Sequence, residues 1–284
     1  MLELMYITND PDIAKIADDV GVNRVWIDLE TKDKEKRQKG LDTVKSQHHI
    51  SDITIIKPLL KQAKMQVRIN HMYEGSKEEI DAVIEAGADY IMLPYYKTTS
   101  EVERFVEYVN GRAKTILLLE TKEAVDILDD TLKLEGVDEI HIGLNDLHLS
   151  LHQDFMFEPV ANGMVDEMCA KVEAAGKPYG FGGIARIGEG MVPAEMVLNE
   201  HYRIGSTRTI LSRSFCTPKP GQSLDEICNN FKRDLAEIRM YEKTMSNRSR
   251  EEFRDHNAIF KQTVEAVVKK IRARKNEQLG DVLA

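Results

Sequence analysis

The chain has 284 residues, 42% of them hydrophobic and 31% charged, with a formal charge of −9 at pH 7, a size and balance that allow one large buried core. A net negative charge disfavours a broad footprint on nucleic acid or on acidic lipid, since both need clustered Lys and Arg, and it leaves small molecules as the expected partners. Three cysteines, Cys169, Cys216 and Cys228, lack CxxC spacing, which argues against a disulfide framework or a structural zinc site.

The first apolar run, Leu2–Thr8, carries Glu3 and no basic start, so it reads as a strand and not as a secretory leader. No later apolar run reaches membrane-spanning length, and a cytoplasmic protein is expected. Seven more β-rich runs follow: Arg24–Glu30, Met65–Asn70, Tyr90–Tyr96, Thr115–Thr121, Glu139–Leu147, Pro178–Ile184 and Thr207–Phe215. Amphipathic stretches separate them, and two open with Ser-x-x-Glu, at Ser76/Glu79 and Ser100/Glu103, which predicts capping boxes. Eight near-continuous apolar strands alternating with helices predict a parallel sheet covered on both faces and closed as an α/β (β/α)8 TIM barrel. No internal sequence repeat is found.

Residues 1–221 are expected to form the barrel and residues 222–284 a C-terminal helical extension. Two helices are predicted there, opening with capping boxes at Ser223/Glu226 and Ser249/Glu252. In the second, Phe253, Asn257, Phe260, Val264, Val267 and Ile271 step by fours and threes and form one seam between charged faces. Either the chain's own barrel or a neighbouring subunit covers that seam; a homo-oligomer is expected.

In such a barrel the carboxyl ends of neighbouring strands converge on one mouth. Glu120 follows the apolar run Ile116–Leu119, and Asp146 closes the run Ile140–Leu144. On consecutive strands the two carboxylates suit a shared hard divalent cation; either acid alone reads as a helix cap or a solvated loop residue. Arg68, in Val67-Arg68-Ile69-Asn70, lies in a strand too apolar for an unpaired guanidinium. It needs an anion, either a strand acid or a substrate carboxylate held by its fork. Asp28 and Glu30 alternate onto one side of the second strand, where they either orient Arg68 or position water at the metal.

Among the histidines, His71 and His148 stand nearest the expected mouth. His141, within an apolar strand, reads as a hydrogen-bonded core residue, and His48 and His49 read as solvated. Gly180–Gly190 and Arg203–Phe215 place glycines and small hydroxyls around the last two strands. Such glycines serve tight turns or a backbone cradle for phosphate or carboxylate.

Five motifs in this order resemble the HpcH/HpaI aldolase and citrate lyase β-subunit family. They are Ile27-Asp28-Leu29-Glu30, Val67-Arg68-Ile69-Asn70, Ile91-Met92-Leu93-Pro94, Leu119-Glu120-Thr121 and Ile142-Gly143-Leu144-Asn145-Asp146-Leu147, within residues 20–215. The resemblance implies that Glu120 and Asp146 bind the metal, Mg2+ or Mn2+, and that Arg68 contacts the oxo-acid. Asp28 and Glu30 stand beside Arg68 as catalytic candidates, and Gly143 and Asn145 as candidate substrate contacts. The implied activity is a metal-dependent carbon–carbon lyase or aldolase that acts on a 2-oxo acid through a pyruvate-type enolate.

Two departures qualify that expectation. Thr31 stands where the pyruvate aldolase branch places a histidine, with a charged run from Lys32 to Lys39 behind it. Pro94 is followed by Tyr95 and Tyr96 before Lys97, whereas the acyl-CoA branch places lysine directly after Met-Leu-Pro. Two alternatives therefore stand beside the leading reading: an acyl-CoA lyase of the citryl or malyl type, and a catalytically impaired barrel serving as a binding or scaffold protein. A Schiff-base aldolase is disfavoured, because Lys97 is the one lysine near the end of a core strand.

Overall fold

A computed structural model of the chain describes residues 1–32, 47–216 and 220–283. Eight strands, β1 (Glu3–Ile7), β2 (Arg24–Asp28), β3 (Lys64–Arg68), β4 (Tyr90–Leu93), β5 (Lys114–Leu119), β6 (Glu139–Ile142), β7 (Tyr179–Ile184) and β8 (Arg208–Leu211), close in sequence order into a barrel. All pairings are parallel, and β1 meets β8 through Leu4 opposite Thr209. The expected (β/α)8 barrel is the observed architecture.

The helices described are α1 (Pro11–Asp19), α2 (Ile50–Ile56), α3 (Ser76–Glu85), α4 (Thr99–Val109), α5 (Lys122–Asp126), α6 (Leu128–Thr131), α7 (Leu144–Ser150), α8 (Glu158–Ala161), α9 (Met164–Ala174), α10 (Ala194–Ile204), α11 (Leu224–Met245) and α12 (Arg250–Leu283). Strand residues that alternate outward, such as Leu4, Val25, Val67, Ile91 and Leu117, pack beneath them as one buried core.

The inward-facing residues stack in layers, and their chemistry changes along the barrel axis. At the amino end Arg24 gives two hydrogen bonds to Glu139, at 2.8 and 3.0 Å, and one to Glu3 at 2.5 Å, while Arg208 pairs with Glu139 from the other side. Tyr90 stacks on Arg24, its ring centroid 3.9 Å from the guanidinium carbon. An apolar plug of Met5, Trp26, Met92, Ile116 and Leu118 fills the middle. Polar groups return at the carboxyl ends, where Asp28, Arg68 and Glu120 sit. With charge clamped at one end and grease in the middle, the open mouth is the place left for chemistry.

Of the two capping boxes predicted between the strands, one does not form and the other is displaced. Ser76 heads α3, but its Oγ accepts from the Tyr73 N–H, and Glu79 accepts from the backbone and side-chain amides of Asn70 instead of closing a box. The box at α4 forms between Thr98 and Glu101, two residues before Ser100. Threonine caps as serine does, so the pattern recurs in two registers and packing selects one. The boxes at Ser223/Glu226 and Ser249/Glu252 form as expected.

Helix α11 packs against α1 and α10, and α12 against α8 and α10. Among the described side chains of α12, Phe260, Val264 and Val268 are buried, each four residues apart. A straight helix drifts from a strict 3.5-residue seam, so Val268 takes the deep position that the seam gave to Val267. Asn257 donates to Oε2 of the buried Glu200 at 2.8 Å, which ties the helix down beside that seam. The chain's own barrel therefore covers the seam.

Candidate active site

A cleft of about 480 Å3 opens at the carboxyl end of the barrel. Asp28, Arg68, Glu120, Gly143, Asn145 and Asp146 all line it, so six of the seven residues singled out from the sequence meet in one place. Glu30, the seventh, is buried just behind, its Oε2 3.4 Å from Nη2 of Arg68.

Arg68 ends β3, and Asp28 takes one edge of its fork. Nε and Nη2 each donate to one oxygen of Asp28 at 2.8 Å, and the guanidinium lies over the Trp26 ring at 5.3 Å. Burial on its own would depress the Arg68 pKa, but Asp28 and Glu30 together outweigh it and hold the group well above its ordinary value. The strand-acid and anion-gripping readings of Arg68 are thus compatible: the acids fix the cation that faces the cleft.

Glu120 follows β5 and is buried. Its Oε1 accepts from the Tyr95 N–H at 3.0 Å. Tyr95 holds a left-handed φ of 52° just after Pro94, a conformation uncommon for a bulky residue, kept here by the turn that aims its amide. The Met-Leu-Pro motif therefore serves the site through its backbone. Gly143 stands on the other side of the same carboxylate: a Cβ there would lie 2.8 Å from Glu120 Oε2 and 2.9 Å from Glu120 Cβ.

The setting of Asp146 differs from the expectation. Strand β6 stops at Ile142, and Asp146 lies in the first turn of α7. Gly143 turns the chain there, so the acid reaches the mouth from a helix and not from a strand end. Among the described residues no group of three or more His, Cys, Asp and Glu forms a metal cluster. Two carboxylates, however, are the donor set on which Mg2+ commonly relies, with water or substrate oxygens completing the shell. Asp28 and Glu30 already neutralise Arg68, and Glu120 and Asp146 add two further acids that favour a divalent ion.

The histidines separate. His141 lines the floor of the cleft with Nε2 3.1 Å from the Gly182 carbonyl, and burial depresses its pKa to about 4. The hydrogen-bonded core reading of His141 holds. His148 turns its Nδ1 to the Leu144 carbonyl of its own helix at 3.0 Å, and neither it nor His71 lines the cleft. His48 is not solvated: it is half-buried, and its Nδ1 accepts from the Asp28 N–H at 2.9 Å. Sequence distance hid that contact, which joins a connecting loop to the end of β2.

Thr31 is exposed and lies outside the cleft; its N–H and that of Lys32 donate to Asn70 Oδ1. Residues 33–39 of the charged run lie outside the described residues. Lys97 is exposed, bonds Glu123 at 3.2 Å and does not line the cleft. The glycines of β7 serve close packing: a Cβ on Gly180 would collide with the Arg208 carbonyl, and Gly182 takes a φ of 49° against Leu144. Residues absent from the sequence reading also line the cleft, notably Trp26, Phe155, Met156, Phe157 and Arg213. Only Trp26 carried a usable signal, the alternation Arg24, Trp26, Asp28 that turns all three inward.

A (β/α)8 barrel with an arginine fork and two acids at its carboxyl mouth defines the class of this protein. The model of the HpcH/HpaI aldolase/citrate lyase family matches residues 4–185, and the chain belongs to that family. The 2-keto-3-deoxy-L-rhamnonate aldolases of Escherichia coli strain K12 / DH10B and Shigella boydii serotype 4 are each 27% identical to it over 143 residues. The match covers 39% of this chain and 54% of each relative, so the chain spans about half the length of the curated relatives it matches.

Solved structures share the fold at low identity. An HpcH/HpaI aldolase/citrate lyase family protein from Burkholderia cenocepacia J2315 aligns with a TM-score of 0.60 at 15% identity, over 84% of this chain and 94% of that one. The HpcH/HpaI aldolase from Desulfitobacterium hafniense DCB-2 gives 0.56 at 15%, over 74% and 86%. No described helix is long and apolar enough to cross a membrane. The three cysteines are free thiols.

Proposed function

We propose that this chain is a divalent-metal-dependent carbon–carbon lyase, or aldolase in the reverse direction, that acts on a 2-oxo acid through a pyruvate-type enolate. The observation that carries the reading is the convergence of Arg68, Asp28, Glu120 and Asp146 on one cleft. Glu120 and Asp146 would hold Mg2+ or Mn2+, which when bound would supply Lewis-acid polarisation of the 2-oxo group. Arg68 contributes a fixed positive charge beside the oxygens that become more negative as the carbon–carbon bond breaks or forms. Asp28 gives both its oxygens to Arg68, and Glu30 lies behind the pair; both act by positioning. Gly143 lets the Glu120 carboxylate stand close to the backbone, and the exposed Asn145 offers its amide to substrate at the rim.

In the same proposal residues 1–221 carry the chemistry and residues 222–284 close and brace the barrel. A cytoplasmic setting is supported by the three free thiols. The homo-oligomer expected from the sequence is testable by size-exclusion chromatography of the full chain. The catalytic reading is tested by pyruvate release from a 4-hydroxy-2-oxo acid, with Mg2+ and after stripping by chelator. Stripping, Glu120→Gln and Arg68→Ala should each remove at least about 99% of the rate; full activity without metal would overturn the reading.

A further inference from the structure

The acids of the cleft and Arg68 occupy one side of its rim, because they come from β2, β3, the end of β5 and the start of α7. The opposite side is mostly apolar. Ile7 of β1, Phe155 and Phe157 beyond α7, Met191 and Val192 beyond β7, and Ile210 of β8 all face the same space. Among the described residues of β7, β8 and the segments after them, Ser212 and Arg213 alone bring polar side chains to this wall. Ser212 is already hydrogen-bonded to Ser214 at 2.7 Å, and Arg213 is exposed at the outer rim. A polyhydroxylated chain laid along such a wall would lose water from more hydroxyls than Ser212 and Arg213 could bond, whereas an alkyl chain would gain from the apolar contacts.

The wall is held from outside the barrel. Phe260 of α12 meets Phe157 edge-on at 6.0 Å, and Phe157 meets Phe155 at 5.6 Å. In the same loop Asp154 bonds Arg272 at 2.6 Å and Lys275 at 2.7 Å, both on α12. Glu158 Oε2 accepts from the N–H groups of Asp154 and Phe155, which fixes the loop backbone between these anchors. Helix α12 therefore reaches the cleft through one intervening layer of aromatic rings.

Resting on the lyase reading above, we infer that the second substrate is an aldehyde with an apolar chain, read by the Phe155–Met191 wall, and that Phe260 is a positioning residue for that wall. In the addition direction C3 of the enolate forms a bond to the aldehyde carbon, and the aldehyde oxygen takes a proton to become the C4 hydroxyl. In cleavage the C3–C4 bond breaks, the hydroxyl gives up its proton as the aldehyde forms, and C3 takes a proton to give pyruvate.

Two measurements on the Mg2+-loaded protein separate the two claims. Exchange of the pyruvate methyl protons with D2O, with no aldehyde present, reports enolate formation alone. Addition of pyruvate to propanal, hexanal and glyceraldehyde reports the wall. The expected result is exchange in all forms, kcat/KM rising about three- to fourfold per added methylene from propanal to hexanal, and glyceraldehyde well below propanal at equal carbon number. Met191→Asp, at a position 64% exposed, should raise the KM for hexanal about tenfold; proton exchange, which involves no aldehyde, reports separately on the enolate site. Phe260→Ala should do the same and Phe260→Leu should restore most of it; if Phe260→Ala fails to fold, Met191→Asp decides. Exchange accompanied by equal or better use of glyceraldehyde, or a hexanal KM unmoved by Met191→Asp, would overturn the inference and leave the lyase reading intact. Loss of exchange in the unmodified protein would overturn both.

Discussion

Gly143→Ala is the smallest change that tests the placement of Glu120. The backbone tolerates it, because Gly143 has a φ of −84°, within the range open to any L-residue. The neighbours do not. The new methyl would sit 2.9 Å from Glu120 Cβ, about 0.6 Å inside ordinary carbon–carbon contact, with Oε2 at 2.8 Å and Leu118 Cδ1 at 3.2 Å on its other flanks. Glu120 is the neighbour with room to yield, toward the open cleft, and a shift of that size breaks its hydrogen bond from Tyr95. Overpacking of this kind costs about 1–3 kcal/mol of stability, and misplacing a reacting group by close to 1 Å costs on the order of 100-fold in rate. Pyruvate release and Mn2+ affinity should therefore fall together, while thermal melting shows a folded protein with a Tm lowered by only a few degrees. An alanine variant with undiminished metal affinity and turnover would refute the argument that Gly143 exists to make room for this carboxylate.

Three further outcomes are expected. Arg24→Ala leaves Glu139 buried with one of its two cationic partners gone, which should cost about 3–5 kcal/mol of unfolding free energy in urea titrations; since Arg24 lies at the opposite end from the cleft, turnover per folded molecule should be unchanged. His48→Ala removes the acceptor of the Asp28 N–H, which should lower kcat/KM for the 2-oxo acid about fivefold, with partial recovery in His48→Asn. Burial lowers the pKa of His141 to about 4 and of His201 to about 3 from an ordinary 6.5, so below pH 6.5 the unfolded chain binds protons that the native state refuses. Stability should fall as pH drops from about 6.5 toward 4, by up to roughly 1.4 kcal/mol per pH unit for each ring, and His201→Gln should flatten the slope measured by urea unfolding at pH 7, 6 and 5.

The sequence exposed most of the fold because a parallel barrel repeats one constraint eight times: each strand must be apolar on its helix-facing side and must deliver its carboxyl end to the mouth. Glu120 and Arg68 were legible for that reason, as charges placed where an apolar strand could not otherwise tolerate them. Asp146 was legible as a residue of the mouth but not as a helix residue, because Gly143 turns the chain within a run that still looks apolar and β-like. The contact of His48 with the Asp28 N–H and the place of Phe157 in the cleft were invisible, since each residue reaches its position from a loop whose path depends on tertiary packing. The Arg24–Glu139 clamp was hidden for another reason. Its two members lie 115 positions apart, and only barrel closure across the interior brings β2 and β6 face to face.

The account stands or falls on two acids sharing one ion. Titration of Mn2+ into the full chain, followed by electron paramagnetic resonance, should give one tight site per chain. That site should be weakened by more than the roughly 10- to 100-fold that follows loss of an outer partner, both in Glu120→Gln and in Asp146→Asn. Unchanged Mn2+ affinity in either variant would contradict the account.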